Sequence, residues 1–136
     1  MRRMKKKVLF LCTENSARSQ MAEGLLRALY GDRFEVYSAG IKPKTVNPNA
    51  VKVMREIGID ISSQKSKSVE EFRGMKFDLV VTVCDDAKEN CPFFPGKKIV
   101  HKSFTDPAKS NNLDAFRKVR DEIRKWIIEY FGGRIR

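Results

Sequence analysis

The chain is 136 residues long with 41% hydrophobic residues and a formal net charge of +11, enough for one domain spanning 1–136 that buries its own core without disulfide staples or a structural metal. A charge of this sign suits an anionic ligand and is equally compatible with nucleic acid, so it excludes little by itself. Met1 to Cys12 starts basic but carries too short an apolar run for a signal peptide, and no other stretch is long or apolar enough to cross a membrane, which makes a cytoplasmic chain with reduced cysteines the expectation.

The apolar run Val8 to Leu11 predicts a buried strand, and Met21, Ala22, Leu25, Ala28 and Leu29 recur at helical spacing. Residues 12–18 must form the turn between them. A strand-to-helix turn aims successive backbone N–H groups at one spot, and the helix adds its positive end there, so Thr13, Glu14, Asn15, Ser16 and Ala17 form a candidate cradle for a tetrahedral anion. Arg18 can close that cradle with its planar fork of donors. The same positive field is expected to lower the pKa of Cys12 and keep it a nucleophilic thiolate, with Ser19 placed to hydrogen-bond the sulfur.

Phe34 to Gly40 alternates and ends in glycine, which predicts a second strand, and Pro43 and Pro48 mark a loop. Ala50, Val51, Val53, Met54 and Ile57 outline an amphipathic helix stopped by Gly58. Residues 59–68 read as a polar connector, Val69 to Arg73 as a short helix, Leu79 to Val83 as a buried parallel strand and Lys97 to His101 as a fourth strand. Leu113, Phe116, Val119, Ile123, Trp126, Ile127, Tyr130 and Phe131 fall on one stripe of a final helix, which assigns Trp126 to packing rather than to a ligand. The basic cluster Arg117 to Lys125 alternates with Asp121 and Glu122 and reads as a solvated helix face. Strands alternating with helices predict an α/β three-layer sandwich around a four-stranded parallel sheet, with the site at the carboxyl end of the first strand.

The chain's other two cysteines, Cys84 and Cys91, follow the third strand. Carboxyl ends of parallel strands lie together, so Cys84 is expected on the sheet edge that carries Cys12. Zinc binding by the three cysteines and His101 is disfavoured because no closely spaced cysteine pair exists. Thiols converging on one anion site suggest electron transfer by successive exchange. Asp106, before Pro107, is either a turn residue or, on the same sheet edge, an acid able to protonate a leaving oxygen.

These segments, together with Ser38-Ala39-Gly40, Gly58 to Ser62, Val83-Cys84-Asp85, Cys91-Pro92 and Phe104 to Ala108, resemble the thioredoxin-coupled arsenate reductases, which share the fold of low-molecular-weight protein tyrosine phosphatases. The resemblance implies that Cys12 attacks arsenate held by the loop and Arg18 while Asp106 protonates the departing oxygen. Cys84 then attacks Cys12, releasing arsenite, and Cys91 attacks Cys84 to leave a disulfide for thioredoxin. No bound cofactor, a monomer, and no nucleic-acid or membrane partner are the expectation. Two departures stand out. Glu14 replaces a common glycine and must point outward to avoid repelling an anion. Lys65 and Lys67 occupy a segment that, with Asn15, Glu23 and Ser38, binds potassium in some members, so a lysine ammonium is expected in the ion's place. The alternatives are a phosphatase whose extra cysteines guard Cys12 against oxidation, and a basic nucleic-acid-binding module, for which no aromatic-and-basic motif is visible.

Overall fold

The computed structural model describes residues 5–84 and 96–132. Strands β1 (Lys6–Cys12), β2 (Phe34–Gly40), β3 (Phe77–Thr82) and β4 (Gly96–His101) form one parallel sheet in the order β2-β1-β3-β4. β1 is central, and Val8, Leu9, Phe10 and Leu11 are all fully buried, which is why this strand is a continuous apolar run rather than an alternation. Helices α1 (Arg18–Tyr30), α2 (Pro48–Glu56) and α3 (Leu113–Gly132) complete the α/β fold, with α1 packing against both α2 and α3.

Local chemistry sets the element boundaries. Helix α2 begins two residues earlier than its apolar pattern, because Asn47 caps it by accepting from Asn49 N and Pro48 takes the first helical position, where a missing N–H costs nothing. Gly58 stops it at φ +80°, a left-handed value that favours glycine. The short helix expected at Val69 is a 3-10 turn, Val69–Phe72, opened by a reciprocal Ser68–Glu71 capping box.

One expectation changes. Arg120, assigned to a solvated face, is buried: its Nη1 donates to Val53 O and to Glu56 Oε1, both at 2.9 Å. Val53 lies in the last turn of α2, where carbonyls lack helical partners and the helix end is negative, so a cation is favoured there. Arg117 also pairs with Glu56, at 2.7 Å. Arg117 and Arg120 therefore fasten α3 to α2, while Lys118, Arg124 and Lys125 of the same cluster are exposed.

Candidate active site

Residues 12–17 leave β1 and wrap around a point in front of α1. Each carbonyl in this turn is held from outside: Cys12 O by Ile41 N, Thr13 O by Lys42 N, Glu14 O by Lys44 N and Ser66 Oγ, Asn15 O by Gln20 Nε2, and Ser16 O by Asn47 N. No peptide bond here is cis, and a planar trans peptide directs its N–H opposite its C=O. The amides of residues 13–17 thus face the loop's centre. Helix α1 follows with Ala17 in the capping position and no side-chain cap, so its first N–H groups also stay available to a ligand. Gly40 makes this packing possible: a Cβ there would lie 2.7 Å from Asn15 N and 2.8 Å from Thr13 O.

Asn15 is the pivot of the loop. It sits at φ +50°, fully buried, with Nδ2 donating to Ser19 Oγ (2.8 Å) and Ser38 Oγ (2.9 Å) while Oδ1 accepts from Gln20 Nε2 and Lys67 N. These four bonds use the whole amide, and asparagine tolerates the left-handed backbone better than most residues. The Asn15 side chain supports the loop from beneath, while its backbone amide stays part of the cradle, and Ser19 Oγ joins the same network as acceptor from Asn15 Nδ2. Gln20, which sequence reasoning did not single out, ties the network to Lys65 O; in sequence it is one polar residue among Arg18, Ser19 and Glu23.

The ammonium of Lys67 lies 3.6 Å from Glu23 Oε1 and donates to Lys65 O, while Ser38 Oγ also donates to Glu23. Glu23 is buried and also pairs with Arg27 Nη2 at 2.6 Å, so two cations offset the cost of burying its charge. Glu14 points outward and pairs with Lys44 Nζ at 2.9 Å.

Cys12 and Cys84 are both free and both buried. The Cys84 thiol sits near enough to Cys12 to perturb its titration, and Thr13 Oγ1 lies 3.4 Å from Cys84 Sγ. Cys84 reaches this position because Val83 N bonds Leu11 O, carrying the register of β3 past its last residue alongside β1. The pairing overturns one electrostatic expectation. The Cys84 thiol, followed by burial, pushes the Cys12 thiol well above its ordinary pKa, outweighing the pull of Arg18 and the Thr13 N–H toward the thiolate. Two coupled thiols titrate as a pair, and the second proton is the costly one to remove.

Arg18 donates from Nη1 to Phe104 O at 3.0 Å and sets Nη2 3.7 Å from Asp106 Oδ2. Its Nε is buried with no hydrogen-bond partner among the described residues. Asp106 accepts from Ala108 N through its other oxygen, so it is a turn residue and a pocket residue at once. Together Cys12, Thr13, Glu14, Ser16, Ala17, Arg18, Asn47, Asp106 and Ala108 line a cavity of about 200 Å³. Of the expected site residues, Cys91 lies outside the described residues. Asn47 was missed, since in sequence it is only a loop asparagine before proline. His101 bonds through Nδ1 with Thr82 Oγ1 at 2.8 Å.

The sequence profile described as low molecular weight phosphotyrosine protein phosphatase matches residues 7–134. An arsenate reductase of Halalkalibacterium halodurans is 54% identical over 129 residues, covering 90% of this chain and 93% of that protein. A solved arsenate reductase in the phosphate-binding state matches with a TM-score of 0.81 at 32% identity, over 96% of this chain and 98% of its own. A thioredoxin-dependent arsenate reductase of Corynebacterium glutamicum matches with a TM-score of 0.74 at 30% identity, over 95% of this chain and 61% of its own.

Proposed function

The chain belongs to the low molecular weight phosphotyrosine protein phosphatase family, among its arsenate reductases, and from that premise we propose that it reduces arsenate to arsenite by relaying electrons through Cys12, Cys84 and Cys91. The observation that carries the reading is the proximity of the Cys84 thiol to Cys12, which itself lines an anion pocket. A phosphatase needs the cradle, Cys12 and an acid, but no second thiol. A second thiol beside the first suits a reaction in which sulfur must be attacked by sulfur.

The cradle fits a tetrahedral oxyanion. Inward amides, the uncapped start of α1 and the unpartnered Arg18 Nε all ask for negative oxygen. Binding the anion brings Arg18 fully onto it, and Cys12 attacks arsenic as its proton leaves. Asp106, beside Arg18 and half exposed, supplies a proton to the oxygen that departs as water. Cys84 then attacks the Cys12 sulfur; the S–As bond breaks, its electron pair stays on arsenic, and arsenite leaves. Cys91 attacks Cys84 in turn, returning Cys12 as a thiol, and an external dithiol protein such as thioredoxin reduces the Cys84–Cys91 disulfide. Two electrons pass per turnover and no resident cofactor takes part.

The test is a single turnover. Fully reduced protein mixed anaerobically with arsenate should lose two of its three thiols and release about one arsenite per chain. Three intact thiols without arsenite would refute the cascade and favour a phosphatase with an oxidation guard. Adding thioredoxin and its reductase should then sustain turnover in the wild type, but not in Cys91→Ser.

A further inference from the structure

Asn47 is held in the pocket wall by three bonds that leave one end of its side chain unspent. Its backbone N donates to Ser16 O at 2.9 Å, which fastens it to the anion loop, and its backbone O accepts from Val51 N in the first turn of α2. Its Oδ1 accepts from Asn49 N at 2.8 Å. That last bond decides the orientation of the amide, since only the oxygen can accept from an N–H. The Nδ2 group therefore faces the other way, and among the described residues it makes no hydrogen bond. The residue is half-buried and lines the same cavity as Cys12, Arg18 and Asp106.

A pocket built to hold an anion with backbone amides and one guanidinium gains from a further fixed donor, because the donor needs no reorganisation when the ligand arrives. Asn47 meets that requirement. Capping α2 and bonding Ser16 immobilise it before any ligand is present, and Pro48 after it offers no N–H that could compete for the same oxygen. We propose that Asn47 Nδ2 is a binding residue of the oxyanion site, donating a hydrogen bond to an oxygen of the bound anion. This rests on the oxyanion reading of the pocket and extends it to a residue outside the loop.

The side chain's two ends allow its two roles to be separated. Asn47→Asp keeps a capping oxygen for Asn49 N but replaces the donor with a negatively charged acceptor. Asn47→Ser also caps but does not reach as far. The probe is inorganic phosphate, titrated calorimetrically into the reduced full-length protein, with thermal unfolding measured in its absence. Expected is a melting temperature for Asn47→Asp within about 2 °C of wild type, and a phosphate Kd raised by about tenfold or more. Asn47→Ser should raise the KM for arsenate several-fold while kcat stays within about twofold. Wild-type binding with both variants within about twofold of it would overturn the inference alone. A wild type that neither binds phosphate nor yields arsenite would overturn the oxyanion reading and the inference with it.

Discussion

Replacing Gly40 by alanine tests whether the amides of residues 13–17 are the working part of the site. The added Cβ would stand 2.7 Å from Asn15 N, 2.8 Å from Thr13 O and 2.9 Å from the Glu14 carbonyl carbon, all backbone atoms of the anion loop. Against an optimum near 3.5 Å, the loop or the strand must give by about 0.7 Å. The strand cannot easily give, because Gly40 is paired in register with Cys12 and its N–H donates to Lys67 O at 2.8 Å. The loop must therefore shift, and a displacement approaching 1 Å in a preorganised site costs on the order of 10²-fold in rate. Overpacking should also lower stability by about 1–3 kcal/mol. The assay is arsenite release under multiple turnover with a dithiol donor, alongside phosphate affinity and urea unfolding. A variant retaining wild-type rate and phosphate affinity within about threefold would refute the amide cradle as the source of binding.

Removing Cys84 as alanine takes away the largest cause of the raised Cys12 pKa. A raised thiol pKa keeps the thiolate scarce until the pH is high, so its removal should move the rise of Cys12 alkylation by iodoacetamide to lower pH; a midpoint that stays or climbs would contradict the coupling. With the Lys67 ammonium already beside Glu23, turnover and melting temperature of the wild type should not respond to potassium at constant ionic strength, and Lys67→Met, which leaves buried Glu23 with Arg27 as its remaining cation, should lower stability modestly; a clear potassium response of the wild type would argue against the ammonium serving in an ion's place. Arg120→Ala leaves Val53 O without its buried donor and should cost about 1–3 kcal/mol in urea unfolding, with phosphate affinity unchanged; a neutral effect would return Arg120 to the solvated face.

Much of the fold was legible because its signals are local. Four buried apolar residues in β1 can only be a covered strand, the stripe from Leu113 to Phe131 can only be a packed helix, and a cysteine and an arginine five residues apart at a strand-to-helix turn delimit an anion loop. Glu14's outward course also followed from charge alone, since a carboxylate cannot share a site with the anion it would repel. What local pattern could not supply was partnership across the chain. Asn15 sits in the loop motif, yet only the approach of Ser38, Gln20 and Lys67 makes its side chain the support of the loop. Arg120 looked solvated until α2 presented Val53 O to it, and Asn47 looked like a turn residue until Ser16 drew it into the pocket wall. The state of Cys12 is the clearest case. Sequence supplied the positive field that favours a thiolate, whereas the meeting of β1 and β3 put a second thiol near it, and that neighbour together with burial outweighs the field. Motifs are written along the chain, but protonation and orientation are set by whatever the fold brings within a few ångströms.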